Sequence, residues 1–453
     1  LTLIINNMNN INTMNNINTI NNTNTYACKS LITIFLFWIV IIITTFIVLI
    51  IFSLLIPITF ILWLCQLILN KKHPIYANYN LKKGRDISKS NILKTTNFNC
   101  NEEVKSLWTD VPNMGLKKNE IWRCHSLFVS CDNKNDKDNR PYMVLIHGTG
   151  SCSLVWGNIL SELSVKFRII AIDLPGFGQS PTPSCLVNAS AIQAQEFLVE
   201  FLNVWFNTVG ITNNAILLGH SYGSFISIHF AKCYPEKVKS VILFNTVGIL
   251  PTLGEYGAYW AVFFNLSPIQ SCIRFLGPLG IWIAYTWFLQ LKVDEEVYYW
   301  FQLIAEPTAI GDLLVARNIN VNWLTGEAFW NNPALKALTQ LKSPVTFVYG
   351  DCDTITPPHQ GHLFTKLLGS NVKCIELVNS GHTINVKSSN HITKIINDAC
   401  ASSGNIDQVA TVFGDNIPND EFLSYRSFWN KQDTMHIINN LYSWLEKLRE
   451  DNL

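Results

Sequence analysis

The feature that most constrains this chain is the run Ala215-Ile216-Leu217-Leu218-Gly219-His220-Ser221-Tyr222-Gly223-Ser224-Phe225. An apolar stretch of strand character stops at a glycine and presents one serine. It then continues through Ile226-Ser227-Ile228-His229-Phe230-Ala231 with helical apolar spacing. The segment therefore reads as strand, sharp turn, helix. A serine at a strained turn leaves no room for a Cβ where strand and helix pass closely, and this accounts for the glycines at 219 and 223. The pattern G-x-S-x-G pushes the Ser221 hydroxyl out of the sheet. It also aims the N–H groups of a helix start at any anion formed beside that hydroxyl.

Similar apolar runs are Ile121 to Ser130, Tyr142 to Ile146, Phe167 to Asp173, Val241 to Asn245, Val345 to Tyr349 and Lys373 to Val378. Strands that are apolar throughout belong in a sheet covered on both faces. Between them lie segments of helical spacing, notably Ala191 to Val209 and Tyr222 to Tyr234. The alternation predicts an α/β fold with a mostly parallel sheet and helices on both faces, and such sheets bind ligands beyond the carboxyl ends of their strands.

Chemistry-bearing residues cluster at those ends. The strand at Met143 to Ile146 runs into His147-Gly148-Thr149-Gly150, a glycine turn that can offer the N–H of Thr149 or Gly150, with that of Tyr222, as an oxyanion hole. Val345 to Tyr349 runs into Gly350-Asp351-Cys352-Asp353, and Lys373 to Val378 into Asn379-Ser380-Gly381-His382. A serine hydroxyl is a weak nucleophile at neutral pH, so His382 must take its proton and a carboxylate must hold the imidazole in the right tautomer. Of the two acids Asp353 is favoured, because it lies further along the loop and can turn back to His382; Asp351 is read as a turn cap. The expected catalytic set is Ser221, Asp353 and His382. His220 and His147 are expected to support the site, and Asp173 is expected to be structural.

Charge and composition narrow the function. All 32 acidic residues, and every Lys and Arg except Lys29, lie after Asn70, where the two signs balance. A nucleic-acid surface is not expected. The 12 cysteines form no C-x-x-C pair and His359-Gln360-Gly361-His362 has no cysteine nearby, so neither a metal nor a cofactor is expected.

Residues 1–30 read as a low-complexity leader rich in Asn, Ile and Thr. From Leu31 to Leu69 no residue is charged, well beyond the ~20 apolar residues that cross a bilayer, so 31–69 is read as a membrane anchor. Pro57 divides it into a single span near 31–56 and a shorter interfacial piece, with a hairpin as the alternative. Lys71, Lys72, Lys82, Lys83 and Arg85 follow the span while Lys29 alone precedes it, which predicts a catalytic body facing the cytosol. Residues 70–119 read as linker, 120–247 and 343–401 as the two halves of the core, and 402–453 as a tail. Between the halves, 248–342 breaks the alternation and is crowded with aromatics such as Trp260, Phe263, Phe264, Trp282, Trp287 and Trp300. It is read as a helical cap whose apolar character suits an acyl chain.

These motifs together resemble the α/β-hydrolase superfamily: His147 to Gly150, Asp173 to Ser180, the turn at Ser221, Gly350 to Asp353, and Gly381-His382, in the chain order Ser, Asp, His. Within it, Phe264 to Pro268 and Leu276 to Gly280 are similar to the cap of the subfamily that holds the N-acyl-phospholipid lysophospholipase and the lipid-droplet lipase coactivator. The coactivator's pattern has Asn at the nucleophile position, where this chain has Ser221. That subfamily also carries H-x-x-x-x-D, linked to acyltransferase activity, and here Lys387 stands in place of the Asp. The resemblance implies a serine hydrolase acting on a lipid or other apolar ester, which the stretch 31–69, read as an anchor from its own residues, would hold at a membrane. The rivals are a lysophospholipid acyltransferase and a non-catalytic lipid- or lipase-binding regulator. Relatives that open epoxides or haloalkanes place Asp at the turn and are disfavoured. The sequence leaves the oligomeric state open.

Overall fold

The computed structural model describes residues 102–112, 121–131, 138–250, 311–322, 327–353, 355–356, 359–368, 371–378, 380–382, 389–401 and 409–413, with isolated helical positions at 38–39, 42–43, 45–46, 50 and 53. The chain divides into two compact units, residues 1–77 with 322–327 and residues 78–321 with 328–453. Of the first, the described helical residues Trp38, Ile42, Ile43, Phe46 and Ile50 are exposed. Among the described residues no helix is long and apolar enough to cross a membrane, and most of the stretch read as an anchor lies outside them.

The second unit is built on a nine-stranded sheet. Its strands are β1 (Glu102–Pro112), β2 (Ile121–Cys131), β3 (Tyr142–Ile146), β4 (Arg168–Ile172), β5 (Ala215–His220), β6 (Val238–Phe244), β9 (Val345–Gly350), β10 (Val372–Val378) and β11 (Val409–Phe413). β7 (Ile319–Asn322) and β8 (Glu327–Trp330) form a separate two-stranded ribbon. The order across the large sheet is β1-β2-β4-β3-β5-β6-β9-β10-β11. β1 pairs with β2, and β2 with β4, antiparallel; every other pairing is parallel. β5 lies between β3 and β6, so the turns ending these three strands open at one edge of the sheet.

Alternate residues of each central strand feed opposite cores. Val144, Ile146, Leu217, Val241 and Leu243 join one layer with helices α2 (Ala191–Thr208) and α3 (Tyr222–Cys233) through Leu198, Phe201, Trp205, Phe225 and Phe230. Met143, Leu145, Ile216, Leu218 and Ile242 join the other with Ile159, Leu160 and Leu163 of helix α1 (Gly157–Ser164) and Ile392, Ile395 and Ile396 of a helix at Ser389–Ala401. Each such aliphatic side chain contributes about 1.5–3 kcal/mol of burial, which is why these runs carry no polar alternation. Helix α2 opens with a capping box, in which Gln193 N–H donates to Ser190 Oγ at 3.3 Å and Ser190 N–H donates to Gln193 Oε1 at 2.9 Å.

The structure adds elements where the sequence reading had none. β1 lies within the stretch read as linker and β11 within the tail. β1 is an edge strand whose exposed positions include Ser106, Trp108 and Asp110 and whose buried Val104 and Val111 fall on opposite faces, so no apolar alternation marks it in the sequence. Of the region read as a cap, residues 251–310 lie outside the described residues.

Candidate active site

The turn after β5 sets the geometry. Ser221 has φ 52° and ψ −116°, a left-handed conformation that a non-glycine residue adopts only when its surroundings enforce it. Ser221 N–H is held by Phe244 O at 2.9 Å, so β6 fixes the turn from one side. On the other side, a Cβ at Gly223 would lie 2.1 Å from Ile146 O, and one at Gly219 would lie 2.6 Å from Ser224 Cα. A serine that opens a helix usually bonds the helix's own N–H groups through its side chain. Ser221 opens α3 without such a bond, and its hydroxyl is left for another partner.

That partner is His382. Its Nε2 lies 3.0 Å from Ser221 Oγ, and its Nδ1 lies 2.9 Å from Asp353 Oδ2. Asp353, 1% exposed, accepts from the N–H of Ile355 at 2.7 Å and of Thr356 at 2.9 Å, and from the Thr356 hydroxyl. With Nδ1 donating to Asp353, the neutral imidazole presents the Nε2 lone pair to Ser221. Asp351 turns elsewhere, its Oδ1 accepting from Ser380 N–H at 3.2 Å, and so pins the loop that carries His382. Ser221 thus meets an acid and an imidazole that follow it by more than a hundred positions, each of the three at the end of its own strand.

Two side chains hold the His382 backbone. Asn245 Nδ2 donates to the carbonyls of Gly381 at 3.1 Å and His382 at 2.7 Å, while its Oδ1 accepts from Gly350 N–H at 2.9 Å. His220 Nε2–H donates to the same His382 carbonyl at 2.8 Å. Burial, reinforced by His382, pushes the His220 imidazole down to about 3, so it is neutral and free to donate in this way. Asn245 was not singled out from sequence. Its signals are its place directly after β6, between the strands that end in the serine and the acid, and its positive φ of 44°, which asparagine tolerates better than most residues.

The turn after β3 passes behind the serine, where a Cβ at Gly148 would fall 2.9 Å from Ser221 Cβ. His147 braces that turn. Its Nδ1–H donates to Gly148 O at 2.8 Å, and its Nε2 accepts from Leu174 N–H at 3.1 Å. Burial lowers the His147 pKa, consistent with a neutral ring that can accept at Nε2. Thr149 and Gly150 follow, half-buried, with Gly150 at φ 67°, and Tyr222 is fully buried at the start of α3. Thr383 to Lys387, which include the position compared with H-x-x-x-x-D, lie outside the described residues.

Comparison with known proteins agrees with this architecture. Residues 141–264 match the alpha/beta hydrolase fold family. Among curated proteins, the chain is 26% identical over 287 residues to the 1-acylglycerol-3-phosphate O-acyltransferase of Arabidopsis thaliana, covering 57% of this chain and 66% of that one. It is 25% identical over 268 residues to the 1-acylglycerol-3-phosphate O-acyltransferase ABHD5 of Sus scrofa (54% and 73%). It is also 34% identical over 131 residues to the (lyso)-N-acylphosphatidylethanolamine lipase of Mus musculus (29% and 35%). The matches to relatives from rice, Arabidopsis thaliana and Caenorhabditis elegans span 59%, 66% and 52% of those proteins' lengths. Among solved structures, a membrane phospholipase A described as a bacterial virulence factor superposes with a TM-score of 0.51 at 17% identity, covering 77% of this chain and 99% of that one, a likeness of fold alone. Sheet order, turn geometry and sequence matches agree: the chain belongs to the α/β-hydrolase superfamily.

Proposed function

We propose that this protein is a membrane-anchored serine hydrolase that cleaves a lipid-type carboxylic ester through an acyl-enzyme on Ser221. The observation that carries the reading is the continuous hydrogen-bonded line from Ser221 Oγ through His382 to Asp353. In this mechanism Ser221 Oγ attacks the ester carbonyl carbon as its proton passes to His382 Nε2. The tetrahedral oxyanion rests against the N–H of Tyr222 and that of Thr149 or Gly150. His382 then returns the proton to the departing alcohol, and water repeats the cycle on the acyl-enzyme. Asp353 holds the imidazole tautomer throughout.

An acyl substrate is favoured by the aromatic region read as a cap, 248–342, and by relatives named for lysophospholipid and N-acylphospholipid chemistry. Membrane attachment is favoured by the charge-free stretch Leu31 to Leu69 and by exposed Trp38, Ile42, Phe46 and Ile50, spaced four apart on helical backbone. The lysines after that stretch favour a catalytic body on the cytosolic side. Retention in the pellet through high-salt and carbonate washes is expected, and release by carbonate would remove the anchor from the reading.

A second reading, transfer of the acyl group to a lysophospholipid, is favoured by the names of several relatives. Against it stands Lys387, which cannot act as the acceptor or base that an Asp would supply. Purified protein given a labelled acyl donor and a lysophospholipid acceptor separates the two. Hydrolysis predicts more label in free fatty acid than in acylated acceptor, and the opposite ratio would establish transfer.

A further inference from the structure

A second serine, histidine and aspartate stand in line at the far edge of the sheet. Ser106 Oγ on β1 lies 2.6 Å from His125 Nε2 on β2, and His125 Nδ1 lies 2.7 Å from Asp173 Oδ2 at the end of β4. The register places Ser106 opposite Leu127 and Trp108 opposite His125, whose ring the indole meets edge-on at 5.2 Å. His125 is 0% exposed and Asp173 1%, whereas Ser106 is exposed to solvent. Asp173 also accepts from Ser153 N–H at 2.6 Å and Gln179 N–H at 2.9 Å. Burial alone would raise the Asp173 carboxyl, but His125, His147 and the Gln179 N–H outweigh it and hold it at about 2. An ionised Asp173 can only accept, so Nδ1 of His125 carries the proton and its Nε2 lone pair faces the Ser106 hydroxyl. Nucleophile, base and orienting acid are therefore all within hydrogen-bond reach of one another in sequence.

We propose that Ser106 is a second activated hydroxyl, a covalent-modification site for phosphonyl fluorides and activated acyl esters that is separate from Ser221. In the phosphonyl reaction Ser106 Oγ forms a bond to phosphorus as the P–F bond breaks and fluoride departs. The hydroxyl proton passes to His125 Nε2 and from there to solvent. Ser106 sits in mid-strand, where no helix start aims its N–H groups at a developing oxyanion, so the site captures one equivalent of electrophile without turning over.

The test uses full-length Ser221→Ala protein, which removes the first site, with a fluorophosphonate probe and peptide mapping of the adduct. Ser190, exposed and placed at the start of α2, serves as the comparator within the same sample. Label on Ser106 is expected to accumulate about 100-fold faster than on Ser190, the lower end of what a positioned base supplies. It should disappear in Ser221→Ala/Ser106→Ala, an exposed change that leaves the fold intact, and fall toward the Ser190 level in Ser221→Ala/His125→Gln. Equal labelling of Ser106 and Ser190 would overturn the proposal, whether or not the His125 variant folds.

Discussion

Replacing Asn245 by Ala removes the clamp that sets the height of His382. The side chain is 4% exposed and makes three hydrogen bonds, to the carbonyls of Gly381 and His382 and from the N–H of Gly350. The His382 carbonyl keeps its bond from His220, but the buried Gly350 N–H loses its acceptor. Stranding a buried donor costs about 1–3 kcal/mol, and the other lost bonds add about 1 kcal/mol net. Alanine at φ 44° adds about 1 kcal/mol of backbone strain, which Asn245→Gly would relieve. The expected loss is therefore about 3–5 kcal/mol for Ala and about 1 kcal/mol less for Gly, read from urea unfolding of the full-length protein. On a short-chain acyl ester, both variants should lose at least about tenfold in kcat with KM nearly unchanged, because the clamp positions the base and does not touch substrate. A stability change below about 0.5 kcal/mol with full kcat would refute the reasoning.

Other expectations follow from the same geometry. Asp353→Asn should lower kcat by about 10⁴, the effect of losing the tautomer-holding acid, while Asp351→Asn, which weakens the Ser380 turn rather than the bond to His382, should cost far less; esterase assays of the two variants would expose a wrong assignment by reversing that ranking. His220 falls from an ordinary 6.5 to about 3 on folding, so its contribution to stability is fully present above pH ~6.5 and is lost as pH falls toward about 3. His220→Gln should flatten that segment of the stability-pH curve, and an unchanged curve would contradict the buried neutral ring. Gly223→Ala would drive a Cβ to 2.1 Å from Ile146 O and should cost about 3 kcal/mol or abolish soluble expression; a normal unfolding midpoint would mean the strand and helix are not so close.

The central strands were legible because a stretch buried on both faces must be apolar throughout, as Met143 to Ile146, Ile169 to Ile172, Ala215 to Leu218 and Val241 to Phe244 are. The serine turn was legible because its glycines are demanded by backbone contact. β1 was not, since Lys105, Ser106, Trp108 and Asp110 mask its buried residues, and β11 is a short run beyond a polar stretch. The choice of Asp353 over Asp351 could be argued from loop length, but the clamp by Asn245 could not. It depends on contacts with residues 136 and 137 positions away, which no local pattern encodes. The Ser106, His125 and Asp173 line was hidden for the same reason: strand pairing alone brings the first two together, and the linker reading had placed no strand there.

The central claim is that Ser221 carries the acyl group. Full-length protein mixed with an activated acyl ester, quenched in acid within the first turnovers and mapped by mass spectrometry, reads the site of attachment directly. The account predicts acyl adduct on the Ser221 peptide, no such adduct and no turnover in Ser221→Ala, and greatly slowed formation in His382→Ala. Turnover by a Ser221→Ala protein, or an active wild-type enzyme whose Ser221 peptide carries no acyl group, would contradict it.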